Sequence, residues 1–245
     1  MRELCFYIFR ESGKELTFVL IGALGSGKSS TGNSILGDKK FKVRTGTLPV
    51  TNRVERESVS RNGLNITVLD TPGIENVSCL PSIKEKIDVI LREIKSTNII
   101  YLMIIKIGRY TTEEKEILKC IFKNHRAITK NAIMIFTNRN DLMNEDDQAD
   151  RSVHKWIEKN PSIFKLINDY KLQYCAFENK RLIEEEKDKQ VKDLLSVVDD
   201  IDKKNVSCNR NMENKIYVDK KTMVESFGQF GGTFFEEQTI KQNNK

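Results

Sequence analysis

The sequence predicts an α/β fold: a mainly parallel central sheet with helices on both faces. Three observations carry that expectation. Short, wholly apolar runs recur along the 245 residues, among them Thr17-Phe18-Val19-Leu20-Ile21, Ile99 to Ile105 and Ala132-Ile133-Met134-Ile135-Phe136-Thr137. Runs of that kind suit strands covered on both faces. Segments with helical spacing separate them, the alternation expected of a parallel sheet with crossover helices. Finally, the polar and glycine-rich motifs follow the runs, at the carboxyl ends of the strands, where open α/β sheets bind ligands.

Taken in order, the strands are expected near 17–21, 54–60, 65–69, 99–105, 132–137 and 172–177. The helices are expected near 28–36, 82–96, 112–123, 147–159, 161–169 and 181–202. The first strand runs into Gly22-Ala23-Leu24-Gly25-Ser26-Gly27-Lys28-Ser29, which fits the phosphate-binding pattern G-x-x-x-x-G-K-[ST] without a mismatch. Ser30 to Leu36 continues as a helix, so the strand–loop–helix context is present and a plain glycine-rich turn is the weaker reading. Glycines let several backbone N–H groups converge on phosphates, and the helix N-terminus adds partial positive charge. Gly22, Gly25, Ser26, Gly27, Lys28, Ser29 and Ser30 are thus candidate phosphate contacts, with Lys28 for the β- and γ-phosphates and Ser29 for Mg2+. The fold class sharpens to a P-loop domain binding a nucleoside triphosphate.

Phe41 to Asn52 is polar, contains Gly46 and Pro49, and reads as a mobile loop. The strand Asn65 to Leu69 ends at Asp70-Thr71-Pro72-Gly73. By itself this is an ordinary turn. Downstream of a phosphate loop, Asp70 becomes a candidate for holding Mg2+ through water, and the Gly73 N–H for sensing the γ-phosphate. The run Ala132 to Thr137 leads into Asn138-Arg139-Asn140-Asp141, similar to N-K-x-D with Arg for Lys. Asp141 can accept from guanine N1–H and the 2-amino group. Adenine offers no such donor pair, which penalises ATP. Asn138 is placed to orient the loop, and Arg139 to lie along the ring plane. An Asn/Asp-rich helix-capping loop is the competing reading. Tyr174 to Asn179 ends the last strand, where such folds close over the base.

These residues resemble the GTPases of immunity-associated proteins, the GIMAP family, in the septin-like branch of guanine-nucleotide-binding proteins. Ser29-Ser30-Thr31-Gly32-Asn33-Ser34-Ile35-Leu36-Gly37 resembles that family's G-K-S-x-T-G-N-S-I-L-G signature. Gly108-Arg109-Tyr110-Thr111 with Glu113-Glu114 matches its box between the third and fourth guanine motifs, and Cys175-Ala176-Phe177-Glu178-Asn179-Lys180 its base-closing segment. The resemblance covers about Leu16 to Asp202. It implies GTP/GDP and Mg2+ as cofactors, Glu178 and Asn179 beside the base, and self-association through the nucleotide face when GTP is bound. It places the Mg2+-ligating threonine at Thr51, with Thr45 and Thr47 as competitors.

Gly73 is followed by Ile74-Glu75-Asn76, so the water-positioning Gln of Ras-like enzymes is missing. Slow intrinsic hydrolysis is expected. Glu75 can in principle polarise water, though its stretch reads first as switch loop. Arg109 is the candidate for an arginine supplied across a dimer; the alternative is a loop Arg pairing with Glu113 or Glu114. The expected function is a GTP-dependent assembly switch, against a P-loop ATPase or kinase, or a fast self-sufficient GTPase.

Composition agrees. A domain over 16–204, a short extension over 1–15 and a tail over 205–245 fit the length. The 41 Lys and Arg are interspersed with 35 Asp and Glu, net +6, unlike the basic stripe of a nucleic-acid binder. The five cysteines, at 5, 79, 120, 175 and 208, show no zinc-ligand spacing, and only His125 and His154 are available besides. Reduced thiols and a cytoplasmic setting are expected, with any membrane reached through an unknown partner. No apolar run reaches the ~20 residues of a membrane span. Residues 1–10 are too short for a secretory core, and neither end carries a lipidation motif. The tail, with Phe227, Phe230, Phe234 and Phe235 among glycines, is expected to be disordered or to dock.

Overall fold

Six strands form one sheet, the apolar runs among them, and the computed structural model describes residues 14–43, 53–61, 63–74, 80–92, 94, 96, 98–143, 153–180 and 182–205. The strands are β1 (Lys14–Gly22), β2 (Glu55–Arg61), β3 (Leu64–Asp70), β4 (Ile99–Lys106), β5 (Ala132–Thr137) and β6 (Gln173–Phe177). Their spatial order is β2-β3-β1-β4-β5-β6, with β2 alone antiparallel, at the edge. The helices are α1 (Lys28–Leu36), α2 (Leu80–Arg92), α3 (Thr112–Asn124), α4 (Arg126–Lys130), α5 (Val153–Glu158), α6 (Pro161–Tyr170) and α7, over 184–198.

Alternation along the strands separates the two faces. Val19, Ile21, Tyr101, Met103, Ile105, Met134 and Phe136 join one core with Ile87 of α2, Ile117 and Ile121 of α3, and Ile163 of α6. Their neighbours Phe18, Leu20, Leu102, Ile133 and Ile135 are equally buried but lie outside that cluster, on the opposite face. There α1 packs so closely that a Cβ at Gly32 would stand 3.1 Å from Leu20 Cδ1. Burial on both faces is why these runs carry no polar alternation. β2 differs: its residues alternate between half-buried and exposed, and its charges Glu55, Arg56, Glu57 and Arg61 suit an edge that must not recruit further strands.

Local signals set the ends of several helices. Gly27 and Gly37 flank α1 in the left-handed region, at φ 100° and 76°. A capping box starts α3: the Glu114 N–H donates to Thr111 Oγ1 and the Thr111 N–H to Glu114 Oε2. Pro161 opens α6. α2 stops at Arg92, four residues before its expected end, where Ile94 N–H turns back to Leu91 O. Of the helix expected over 147–159, residues 147–152 lie outside the described part, and Val153–Glu158 is helical. α4 and the 3-10 turn Arg139–Met143 were not anticipated, because five residues are too few to show a period.

The chain divides into two compact units, Met1–Val198 and Asp199–Lys245. Of the second, 199–205 are described and are helical. Most of the expected extension and the tail from 206 onward lie outside the described residues.

Strand register lines up the carboxyl ends. Leu20 pairs with Asp70, Gly22 with Ile104, Lys106 with Thr137, and Thr137 with Phe177. The loops that follow β1, β3, β4, β5 and β6 therefore leave the sheet on one edge, beside the N-terminus of α1.

Candidate functional site

The loop from Gly22 to Gly27 occupies that edge, and backbone hems it in. A Cβ at Gly22 would lie 2.5 Å from Ile104 O, and one at Gly73 2.9 Å from Leu24 Cα. Neither position admits a side chain. Gly25 and Gly27 turn the loop with φ of 73° and 100°, where only glycine is at ease. Ile74 N–H donates to Gly22 O at 3.1 Å, and Thr137 Oγ1 to Ser26 O at 2.7 Å. The loop is thus tied to β3 on one flank and β5 on the other.

Lys28 is only 7% exposed. Its ammonium arches over the loop and donates to Ala23 O at 2.8 Å and Gly22 O at 3.2 Å. Ser29, one residue further on, donates to Asp70 Oδ2 at 2.6 Å. The two residues expected to serve a metal, from β3 and α1, are therefore side by side. A hydroxyl and a carboxylate are hard oxygen donors of the kind Mg2+ takes. Ser26 Oγ is buried without a hydrogen-bond partner, inside the loop itself. Thr71, next to Asp70, is fully buried and donates to Leu20 O at 2.6 Å, which fixes the turn into Gly73.

The residues expected to receive the base stand at the ends of β5 and β6. Asn138 adopts φ 60°, tolerable for Asn, and its Nδ2 donates to Asp141 Oδ2 at 3.1 Å, while Asp141 N–H returns to Asn138 O at 2.9 Å. Arg139 and Asp141 are exposed at the surface of this turn. Glu178 and Asn179 are committed to protein partners. The Glu178 carboxylate accepts from Asn140 N–H at 2.9 Å and Lys180 N–H at 2.8 Å. Asn179 Nδ2 donates to Thr31 Oγ1, and its Oδ1 accepts from Ser34 Oγ, both at 3.0 Å. In this structure, then, these two side chains brace the loop after β6.

Arg109 follows Gly108, which holds φ 78°, and is exposed. Its Nη1 would stand 3.8 Å from a Cβ on Gly25, so the guanidinium reaches the phosphate loop. Burial raises the pKa of Glu114; the Thr111 N–H bond and the nearby Arg109 charge work against that rise. Burial, with Glu114 and Glu116 nearby, pushes the Tyr110 hydroxyl up to about 12. The box 108–114 is thereby anchored at its far end and open at its near end.

The stretch after Ser29 has a purpose of its own. Gly32 makes room for the Phe41 ring, which would lie 2.8 Å from a Cβ there. Asn33 grips the Phe41 backbone as a strand would: Phe41 N–H donates to Oδ1 at 2.8 Å and Nδ2 to Phe41 O at 2.9 Å. Arg61 donates to Ser34 O and Ile35 O at the end of α1 and pairs with Asp188 of α7. Sequence reasoning missed Thr137, Asn33 and Arg61 as site supports. The one available signal was a polar residue ending an otherwise apolar run at Thr137. Thr45, Thr47, Thr51 and Glu75 lie outside the described residues.

The sheet order, the loop and the paired Ser29 and Asp70 define the fold of the P-loop GTPases. The chain belongs to the AIG1 family, whose model it matches over residues 16–229. It is 32% identical over 188 residues to human GTPase IMAP family member 8, covering 76% of this chain and 28% of that protein. It is 34% identical over 204 residues to immune-associated nucleotide-binding protein 12 of Arabidopsis thaliana, covering 76% and 47%. The chain thus spans well under half of the human relative and about half of the plant one. Among solved structures, Toc33 from Arabidopsis thaliana with Mg2+ and GMPPNP shares the fold at a TM-score of 0.57 and 19% identity, over 77% of this chain and 85% of that one. A dimerization-deficient Toc33 mutant does so at 0.60 and 21%, over 77% and 84%. Among the described residues, no helix is long and apolar enough to cross a membrane.

Replacing Asn33 by Ala removes both bonds to the Phe41 backbone. We expect a loss of about 1–3 kcal/mol in urea unfolding. Amide exchange at Phe41 should speed up while that of β1 keeps pace only with the global loss. Unchanged protection at Phe41 would contradict the latch.

Proposed function

We propose that this chain is a guanine-nucleotide-binding assembly switch that hydrolyses GTP slowly alone and faster when two copies pair across their nucleotide faces. The observation that carries the reading is one edge of the sheet. It presents the phosphate-loop pattern, the contacting pair Ser29 and Asp70, and the Asn138–Asp141 turn on adjacent strand ends. Backbone N–H groups of 22–29 and the start of α1 bind the phosphates. Lys28, now turned to two carbonyls, moves its charge to the β- and γ-phosphates. Ser29, and Asp70 through water, would hold Mg2+, which would supply positive charge to the phosphoryl group being transferred. Thr51 completes that set from the switch loop, and the Gly73 N–H reads the γ-phosphate. Asn138, Arg139 and Asp141 receive the base, with the closing loop at Glu178 and Asn179 fixed beside it.

Family membership supports this reading, and so do the solved relatives by fold. Toc33 is known with GDP and Mg2+, and dimerization is important for the GTPase activity of the translocon components atToc33 and psToc159. The absence of Gln after Gly73 argues for slow unaided turnover. An arginine supplied in trans is worth about 10³–10⁵ in rate, and Arg109 is exposed on the edge that carries the phosphate loop, where a second copy could meet it. Both described cysteines, Cys120 and Cys175, are free and buried, which fits a reducing, cytoplasmic setting.

Two measurements test the parts separately. Asp141→Asn should weaken GDP binding strongly and favour XDP, whose 2-oxo group offers an acceptor where guanine has a donor; unchanged GDP affinity would contradict the base assignment. Phosphate release per molecule should rise with concentration across a hundredfold range. Arg109→Ala should remove that rise with GTP affinity nearly intact, because a contact made only in the transition state adds little to ground-state binding. A flat wild-type curve, with monomers only in GTP analogue, would sink both the dimer and the trans-acting arginine.

A further inference from the structure

Glu178 and Gln190 are the buried polar pair on the base side, 5% and 7% exposed. A carboxylate in such a place needs partners for its oxygens. Glu178 has them in two different loops: Oε2 accepts from Asn140 N–H at 2.9 Å, in the turn after β5, and Oε1 from Lys180 N–H at 2.8 Å, in the loop after β6. One side chain therefore makes the two loops a single body. Glu178 is itself held from behind. Its N–H donates to Gln190 Oε1 at 3.1 Å, and its carbonyl accepts from Gln190 Nε2 at 3.2 Å. That two-point clasp comes from α7, across the sheet edge.

The Asp141 side chain is exposed, and the bond it takes from Asn138 Nδ2 leaves its aim dependent on the turn that carries both residues. Its place is inherited from the turn Arg139–Met143 and from the bonds to Asn138. The Asn140 N–H, one residue earlier, is where that turn is tied down. A carboxylate that accepts two donors from one base edge needs accurate aim, because hydrogen bonds weaken steeply as they bend.

We infer that Glu178 and Gln190 are positioning residues for base discrimination: through Asn140 they aim the Asp141 carboxylate, so purine selectivity depends on a clasp from the last helix. The inference rests on the guanine reading above and names what holds that site in shape. A purely structural role for the pair makes a different statement. It lowers stability and affects all purine nucleotides alike.

The test uses the full chain and two nucleotides. Inosine diphosphate lacks the 2-amino group that Asp141 would accept from, so the ratio of IDP to GDP dissociation constants reports how well Asp141 is aimed. Gln190→Leu keeps bulk and removes both bonds to Glu178. Glu178→Gln keeps shape and sets an amide NH2 against one of the two N–H groups, so that folding does not depend on a single variant. Wild type should prefer GDP. Each variant should lose about tenfold in GDP affinity, the order expected for one well-aligned charged hydrogen bond, and less in IDP affinity, so that the ratio contracts. Variants that keep the wild-type ratio, whatever their melting temperatures, overturn the inference alone. A wild type that binds GDP and IDP equally overturns the guanine reading and the inference with it.

Discussion

The loop after β1 has main chain on both flanks and no space for a side chain at either. Gly22 lies against Ile104 O, Gly73 against Leu24, and Thr137 reaches across to Ser26 O. Those contacts require β3, β4 and β5 to end level with β1, which the register provides. They also require the sheet to be buried on both faces, since the strands can hold that register only while packed. A backbone-lined cradle follows, with its N–H groups aimed by glycines rather than by flexible side chains. Lys28 and Ser29 come directly after it, at the first turn of α1, and so inherit its position.

α1 then distributes that position to the rest of the site. Its middle turn carries Asn33, which fixes Phe41 at the root of the first switch segment. Thr31 and Ser34 bond Asn179 of the loop after β6. Its last carbonyls accept from Arg61, which also meets Asp188 on α7. Phosphate side, base side and last helix thus meet on nine residues. Each link is a hydrogen bond of modest net worth, roughly 0.5–1.5 kcal/mol, but a buried partner left alone costs more. Single losses should accordingly loosen a loop rather than unfold the sheet.

How much of this was legible follows from the range over which each residue acts. The inner strands β1, β4 and β5 were visible because burial on both faces leaves an apolar run, and β5 falls on Ala132–Thr137 as expected. The phosphate loop was visible because glycine spacing and Lys are local requirements of one turn. Asp70 and Asp141 were visible as polar residues closing apolar runs. Glu178 and Asn179 follow β6, as the sequence places them, but their partners were hidden: Asn140 lies 38 residues away and Thr31 148. Gln190 had no signal at all, since a glutamine on a helix reads as solvated until the fold buries it. Arg61 was similarly invisible, as a charged edge-strand residue whose use depends on where α1 ends. The switch threonines and Glu75 lie outside the described residues, so the sequence remains the whole basis for them.

The central claim is that this edge of the sheet takes a guanine nucleotide with Mg2+ and refuses adenine. A ligand that binds only the folded state stabilises it, by about 2.7 kcal/mol at a hundred times its dissociation constant. The most direct test is the melting temperature of the chain with Mg2+ and GDP against Mg2+ and ADP at equal concentration. GDP should raise it by several degrees and ADP should leave it where it was. No shift with GDP, or the same shift with both nucleotides, would contradict the account.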